Sequence, residues 1–343
     1  DGPTGFISDV VGSGDRTNDD FTSKGVLTPE VSITPRDVAT DAVGNPFVLA
    51  LDGGRVRAVN TRSAADITFP TAASFLTATV GPGRVMSVLA AIPGAGTTGG
   101  KSAFLAPSLV DPVAIASWDQ GGLRLGYALQ LGEPNDNTRP PSLGVANYGA
   151  ATVTFQTPSL GAVLVAPGEV ATLLRGADLP PLTDFADLAL VSGQVVLLAS
   201  GGDGALRAFN FSATSTTVAG TTVNAGQGAV VVGAAGAADL SVDGLTPLSA
   251  RLIGPFGVAV DSTAAHLLIS EANGRVRVVA DPAQDFTLGG LTVTRGTVGT
   301  IPVVLPGTQA AVVQPFGLAV GRGGDLLVTD SDLGDPRSNR VLV

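Results

Sequence analysis

Seven residues, Pro255-Phe256-Gly257-Val258-Ala259-Val260-Asp261, return sixty positions later as Pro315-Phe316-Gly317-Leu318-Ala319-Val320-Gly321. A weaker copy is Pro35-Arg36-Asp37-Val38-Ala39-Thr40-Asp41, and fainter ones begin near Pro112 and near Phe185. The anchors near 35, 112, 185, 255 and 315 lie about 70 residues apart. A chain that repeats one unit must stack copies of one supersecondary element, because no copy buries its apolar surface alone. This repeat constrains the fold more than any other feature.

Each anchor is followed by the same succession. A turn comes first, then a short apolar strand: 47–51, 123–129, 195–199, 266–270 and 325–329. A Gly-rich polar turn leads to a third strand: 55–59, 143–147, 206–209, 275–279 and 340–343. A looser fourth strand precedes the next anchor: 84–92, 163–174, 229–233 and 293–298. No stretch sustains the 3.6-residue period of an amphipathic helix. The acids are 25 Asp against 4 Glu. Asp suits turns and Glu suits helices, so this ratio agrees with strands and turns. Four antiparallel strands per unit, repeated radially, make a β-propeller. The expectation is one all-β domain over 1–343 with about five four-stranded blades, six being the alternative.

The segments "PFGVAVDSTAAHLLISEANGRVRVV" and "PFGLAVGRGGDLLVTDSDLGDPRSNRVLV" resemble NHL repeats. "VVVGAAGAADLSVDGLTPLSARLIGPFGVAVD" and "VVGSGDRTNDDFTSKGVLTPEVSITPRDVATD" resemble the long-linker bacterial form of that repeat. The resemblance covers the first and last two repeats, and implies a secreted bacterial propeller. Some NHL-like lyases hold a metal on several histidines; this chain has a single His, so that activity is not carried over. Propeller hydrolases similar in architecture hold Ca²⁺ with Glu, Asp and Asn at the axis, but the degenerate second and third repeats give no such set.

Ring closure is expected from residues 1–25, a closing strand and linker. Phe6–Gly14, "FISDVVGSG", resembles the fourth-strand segments and supplies the strand that the last repeat lacks. The same strand donated to a neighbouring molecule gives a head-to-tail polymer.

Composition excludes several chemistries. There is no Cys, so disulfides and thiolate sites are absent. A net charge of -10 does not suit nucleic acid, and no apolar run is long enough for a transmembrane helix. The start at Asp1 fits a processed chain that is secreted or displayed at the cell surface. Ala95–Ser102 satisfies a relaxed phosphate-loop pattern, but Pro107 leaves no room for the helix that such a loop needs. It reads as an inter-blade linker. His266 reads as a turn or packing residue, Trp118 and Tyr127 as blade packing. Asn210-Phe211-Ser212 fits a glycosylation acceptor.

The turns between second and third strands carry Asp52, Glu133, Asp136, Asp203, Glu271 and Asn273, and in the last repeat Asp330, Asp332 and Asp335. In a propeller such turns share one face. Two readings follow: Asp and Asn cap tight turns, or the rim binds a partner. Asp330, Asp332 and Asp335 have the oxygen-rich character of a Ca²⁺ loop without EF-hand spacing. The insert Glu133–Ser142 is a second candidate contact for a partner. No catalytic constellation is complete, so the leading expectation is a non-enzymatic secreted module that binds or scaffolds proteins. The alternatives are a structural subunit that self-assembles into a filament or surface layer, and a metal-dependent hydrolase of lactone or ester type.

Overall fold

The structure, a computed structural model, describes 26–27, 35–40, 46–50, 55–60, 65–69, 78–82, 84–89, 101–103, 112–120 and 123–131 in the first part of the chain. It then describes 140–303 apart from 181, 183–185, 203, 234–241, 262 and 264, and finally 314–320, 325–330 and 340–342. The closing segment Phe6–Gly14 lies outside these residues. Two compact units are present: Asp1–Val153 with Leu164–Arg175, and Thr154–Val163 with Gly176–Val343.

The first unit contains β1 (Val26–Leu27), β2 (Pro35–Thr40), β3 (Pro46–Ala50), β4 (Arg55–Val59), β5 (Ile67–Phe69), β6 (Ala78–Val80) and β7 (Arg84–Leu89). It continues with β8 (Lys101–Ala103), β9 (Pro112–Gln120), β10 (Leu123–Gln130) and β11 (Ser142–Asn147). The ribbon strands β12 (Val153–Thr157) and β13 (Gly161–Val165) fall mostly in the second unit, and β14 (Glu169–Arg175) returns to the first. Two antiparallel sheets result, ordered β1-β7-β4-β3-β2 and β8-β14-β11-β10-β9. Each is a four-stranded meander with one extra edge strand. Lys101 and Ser102 of the phosphate-loop pattern lie in such an edge strand, paired with Ala171 and Val170.

The second unit contains β15 (Asp187–Ser192), β16 (Val195–Ser200), β17 (Ala205–Asn210), β18 (Thr216–Val218), β19 (Thr221–Val223) and β20 (Gln227–Val232). These are followed by β21 (Pro255–Val260), β22 (Leu267–Glu271), β23 (Val276–Val279), β24 (Phe286–Leu288), β25 (Leu291–Val293) and β26 (Val298–Ile301). Last come β27 (Pro315–Val320), β28 (Leu326–Asp330) and β29 (Arg340–Leu342). The sheets β15-β16-β17-β20 and β21-β22-β23-β26 are four-stranded, and β27-β28-β29 is three-stranded. Among the described residues the only helical turns are the short 3-10 segments Gly176–Asp178 and Pro247–Ser249. The chain is therefore all-β and built of propeller-blade sheets.

The anchor residues explain how each blade begins. Pro35, Pro112, Pro255 and Pro315 each open a first strand, where a missing N–H costs no ladder bond. In all four sheets the register shifts directly after that proline, at Pro35/Asp37, Pro112/Ala114, Pro255/Val258 and Pro315/Leu318. Such a bulge frees the next backbone donor from its own sheet. The adjoining blade takes that donor up. Asp37 Oδ2 accepts Ile115 N–H at 2.6 Å, and Asp187 Oδ2 accepts Val258 N–H at 2.9 Å. At the following junction Ser270 Oγ donates to Phe316 O at 2.6 Å and accepts Gly257 N–H at 2.7 Å. The Phe256 and Phe316 rings stack there, 5.0 Å apart.

Second strands read as continuous apolar runs because both of their faces are covered. Leu267 and Ile269 join one buried cluster with Leu197 and Leu206. Leu268 joins another with Phe286, Leu326 and Val328. Burying each such side chain stabilises by roughly 1.5–3 kcal/mol over exposure.

The looser fourth strands hide a second feature. Ribbons β5-β6, β12-β13, β18-β19 and β24-β25 are inserted between third and fourth strands. The expected strands 163–174 and 293–298 each merge a ribbon strand with a blade strand. Gly168 (φ 77°) and Gly296 (φ 70°) turn the chain between them, in a region that favours glycine. Three ribbons are held by a fully buried Asn just at or after the third strand. Asn60 Nδ2 donates to Ala65 O and Val80 O, Asn147 Nδ2 to Ala151 O and Val165 O, Asn210 Nδ2 to Thr214 O and Val223 O. Asn210 is thus closed to glycosylation in the folded chain. Asn210→Ala should lower unfolding free energy by about 1–3 kcal/mol, since two carbonyls lose their donors. Denaturant titration checks this, and an unchanged midpoint would count against the clamp.

Candidate functional site

The fourth sheet departs from this pattern, and a cavity forms there. Ala280 occupies the position of the buried Asn, its N–H donating to Thr297 O as Asn60 N–H donates to Arg84 O. An alanine has no amide to cap the turn. His266, at the start of the second strand, takes part of the role: Asp281 N–H donates to its Nδ1 at 3.0 Å. The ring is 6% exposed and meets Phe286 edge-on, with centroids 5.3 Å apart. Asp261 fixes the preceding turn. Its Oδ1 accepts Ala265 N–H and His266 N–H, and its Oδ2 accepts the Thr263 hydroxyl.

Beside His266 lies a cavity of about 290 Å³, near the lower end of the range of small-molecule sites. Leu268, Phe286 and Leu326 make its apolar wall; Asp261, Thr263, Gln284 and Asp285 make its polar side. Asp285 Oδ1 accepts Arg295 N–H at 2.8 Å. Among the described residues no Lys or Arg lines the cavity. Because a backbone donor occupies Nδ1, the neutral imidazole carries its proton on Nε2. Nε2 is therefore a hydrogen-bond donor.

A second polar cluster sits at the other end of the same sheet. Arg277 is fully buried, with Nη2 3.3 Å from Asp243 Oδ1, Nη1 3.9 Å from Glu271 Oε2, and Nε donating to Gly299 O. Glu271, 1% exposed, accepts Ile253 N–H through Oε1 at 2.8 Å. Burial pushes its carboxyl above the usual carboxylate range, against the pull of Ile253 N–H, Arg277, Arg275 and Asn273. Burial also lowers Arg277, opposed by Glu271 and Asp243. Asp330 is the counterpart of Glu271 in the last sheet. It is buried and accepts Gln314 N–H through Oδ1 at 2.9 Å. Both carboxylates close the end of a second strand onto the segment that enters the blade.

The turn residues read from the sequence are thus not displayed alike. Glu271 and Asp330 face inward, and Asn273 Oδ1 accepts Arg275 N–H at 3.3 Å. Asp52, Glu133, Asp136, Asp203, Asp332 and Asp335 lie outside the described residues. Among the described residues no three His, Asp or Glu converge as a metal cluster. Tyr127 is 1% exposed and packs inside its blade. Sequence reading missed Asp37 and Asp187 as inter-blade links; the shared third position of their anchors was the available signal. It also missed Arg277, which sits in an apolar strand of the kind where a basic residue calls for a buried acid.

No protein-family model matches the chain, and no curated protein matches it. Solved structures do resemble it in fold. A gluconolactonase from Xanthomonas campestris is 13% identical over 89% of this chain and 71% of its own, with a TM-score of 0.42. A putative glucose dehydrogenase from Thermus thermophilus is 13% identical over 91% and 96%, at 0.37. A virginiamycin B lyase from Staphylococcus aureus is 11% identical over 86% and 77%, at 0.32. Each is a likeness of fold alone. The sequence expectation of a non-enzymatic module is not carried forward: the solved structures that resemble the chain bear the names of enzymes.

Proposed function

We propose that this chain is a hydrolase of small neutral lactones or esters, with the cavity beside His266 as its site. One observation carries the reading: the lone histidine of the chain is held as an Nε2–H donor on the wall of a cavity that also presents carboxylates and an aromatic ring. In this reading His266 Nε2–H donates to the substrate carbonyl and stabilises the oxyanion. Asp285 accepts the proton of the attacking water, whose oxygen bonds to the acyl carbon. The ester C–O bond then breaks, and the departing oxygen takes that proton from Asp285, which returns to its carboxylate form. Phe286 and Leu268 cover the apolar part of the substrate. The finer family assignment to NHL-type repeats, the secreted location and Ca²⁺ at Asp330, Asp332 and Asp335 remain proposals that rest on the sequence.

The test is a panel of five- and six-membered lactones and simple aryl esters. Turnover above the buffer rate is expected. His266→Asn, whose Oδ1 stands where Nδ1 accepts Asp281 N–H and which lacks a donor at the Nε2 position, should lower kcat about 100-fold. Asp285→Asn should lower it by about 100-fold or more. A panel without turnover, or variants as active as the parent, would overturn the reading.

A further inference from the structure

The ribbons of the second, third and fourth sheets are rooted differently. In the second and third sheets the root is Asn147 or Asn210. Each gives Nδ2 to two carbonyls of its ribbon segment, and its Oδ1 accepts the N–H two positions on, from Gly149 or Ser212. A buried aromatic follows each Asn: Tyr148 and Phe211 donate their N–H to the main-chain carbonyls of Arg124 and Gln194. The fourth sheet replaces all three devices. Ala280 has no amide, and Pro282 has no N–H for a side chain to accept. Half-buried Asp281 stands in place of the aromatic and gives its N–H to an imidazole, His266 Nδ1. Asp285 Oδ1 accepts Arg295 N–H, which ties the two legs of this ribbon to each other and not to the blade. Ala280 N–H to Thr297 O and Gly296 N–H to Ala280 O remain at its root.

The same ribbon is a wall of the cavity, which residues 284–288 line together with His266 and Leu268. We propose that β24–β25 is the gate of this cavity: it swings about its root at 280–282 and 296–297, and its opening gives ligands access to Leu268 and His266. Opening removes Phe286 and Val293 from their buried cluster, so the shut form predominates. With two clamp bonds fewer, it opens about 100-fold more often than the clamped ribbons do. One bond links the gate to the histidine. While the ribbon is shut, Asp281 N–H occupies Nδ1 and holds the proton on Nε2; when it opens, Nδ1 is released and the imidazole is free to change tautomer. The Nε2–H donor is therefore set by closure. The inference concerns access to the cavity and holds whatever reaction follows there.

Hydrogen exchange compares two ribbons inside one molecule. Segments 214–225 and 284–295 are counterparts, seventy positions apart. In the full chain, with intrinsic rates allowed for, the amides of 284–295 should exchange about 100-fold faster. Asn210→Ala removes the clamp from the third ribbon and should narrow the ratio to about tenfold or less. The chain has no Cys, so an introduced thiol reports alone. Leu268→Cys, on the cavity, should be alkylated by iodoacetamide about 100-fold faster than Leu198→Cys, its buried counterpart in the third sheet. Equal protection of the two segments overturns the inference. So does rapid alkylation of Leu268→Cys with slow exchange at 284–295, which means an open cavity beside a fixed ribbon. Slow alkylation with fast exchange also overturns it, because the ribbon then moves without gating anything. Turnover is not among these readouts, so a failure of the hydrolase reading leaves the outcome unaffected.

Discussion

Replacing Arg277 with Met lowers the free energy of unfolding by about 3–5 kcal/mol, the expected cost of leaving one member of a buried pair unpaired. Methionine fills much of the same space, so the loss is electrostatic rather than a cavity effect. The guanidinium is fully buried and answers both Glu271 and Asp243. Without it, Glu271 sits 1% exposed with only the Ile253 N–H close by as a backbone donor. The loss depends on pH in a definite direction. Burial already raises the Glu271 carboxyl above its ordinary 4.5, and removal of Arg277 raises it further. A raised folded-state value means that the penalty is absent below the unfolded value and complete above the folded one. Destabilisation should therefore be largest near neutrality and shrink as pH falls toward about 4.5. Arg277→Met combined with Glu271→Gln should recover most of the loss. Urea titrations across this pH range check the prediction. A penalty under about 1 kcal/mol, or one that does not vary with pH, would show that the ion pair contributes nothing net.

Two glycines at matching positions in the repeat should respond differently to the same change. A Cβ on Gly257 would stand 2.0 Å from Phe316 O and 2.9 Å from Ser270 Oγ. The first obstacle is backbone of the neighbouring strand and cannot move aside without breaking the Ser270–Phe316 bond. Gly257→Ala should cost about 3 kcal/mol, at the upper end of overpacking penalties. A Cβ on Gly317 would meet Thr329 Oγ1 at 3.2 Å, a side-chain atom that yields by a few tenths of an ångström. Gly317→Ala should cost about 1 kcal/mol or less. Equal losses for both variants would mean that glycine serves the motif through chain conformation, not through close approach of adjoining strands.

Much of the fold was legible because its signals are local. The prolines at 35, 112, 255 and 315 do open first strands, and the second and third strands fall within a residue or so of their expected places. Apolar runs covered on both faces and Gly-Asp turns announce themselves in short windows. Fourth strands were less legible. In 163–174 the ribbon strand and the blade strand are both apolar, and only a three-residue turn separates them. Composition cannot divide such a run; the left-handed glycine at 168 does. The buried Asn60, Asn147 and Asn210 were equally hidden, because an Asn near a turn reads as a surface residue until its carbonyl partners up to twenty positions away are known.

The candidate site was the least legible part. His266 was visible as a single residue with no recognisable partners in sequence. Its meaning comes from Asp281, fifteen positions on, and from Phe286 and Leu326 on other strands. Glu271 looked like a rim carboxylate because its turn is polar, yet it closes inward on Arg277. What the sequence by itself determined is the repeating unit, its strands and turns, since these follow from the order of apolar, proline and glycine residues within a few positions. The tertiary structure alone decided which donors meet which acceptors: Asp37 with Ile115, Asp187 with Val258, Asp243 with Arg277. Those pairs span from 34 to 78 positions, and their partners become neighbours only once the strands between them have folded. Hydrogen bonds and ion pairs act over a few ångströms, so a pattern read along the chain carries no record of them.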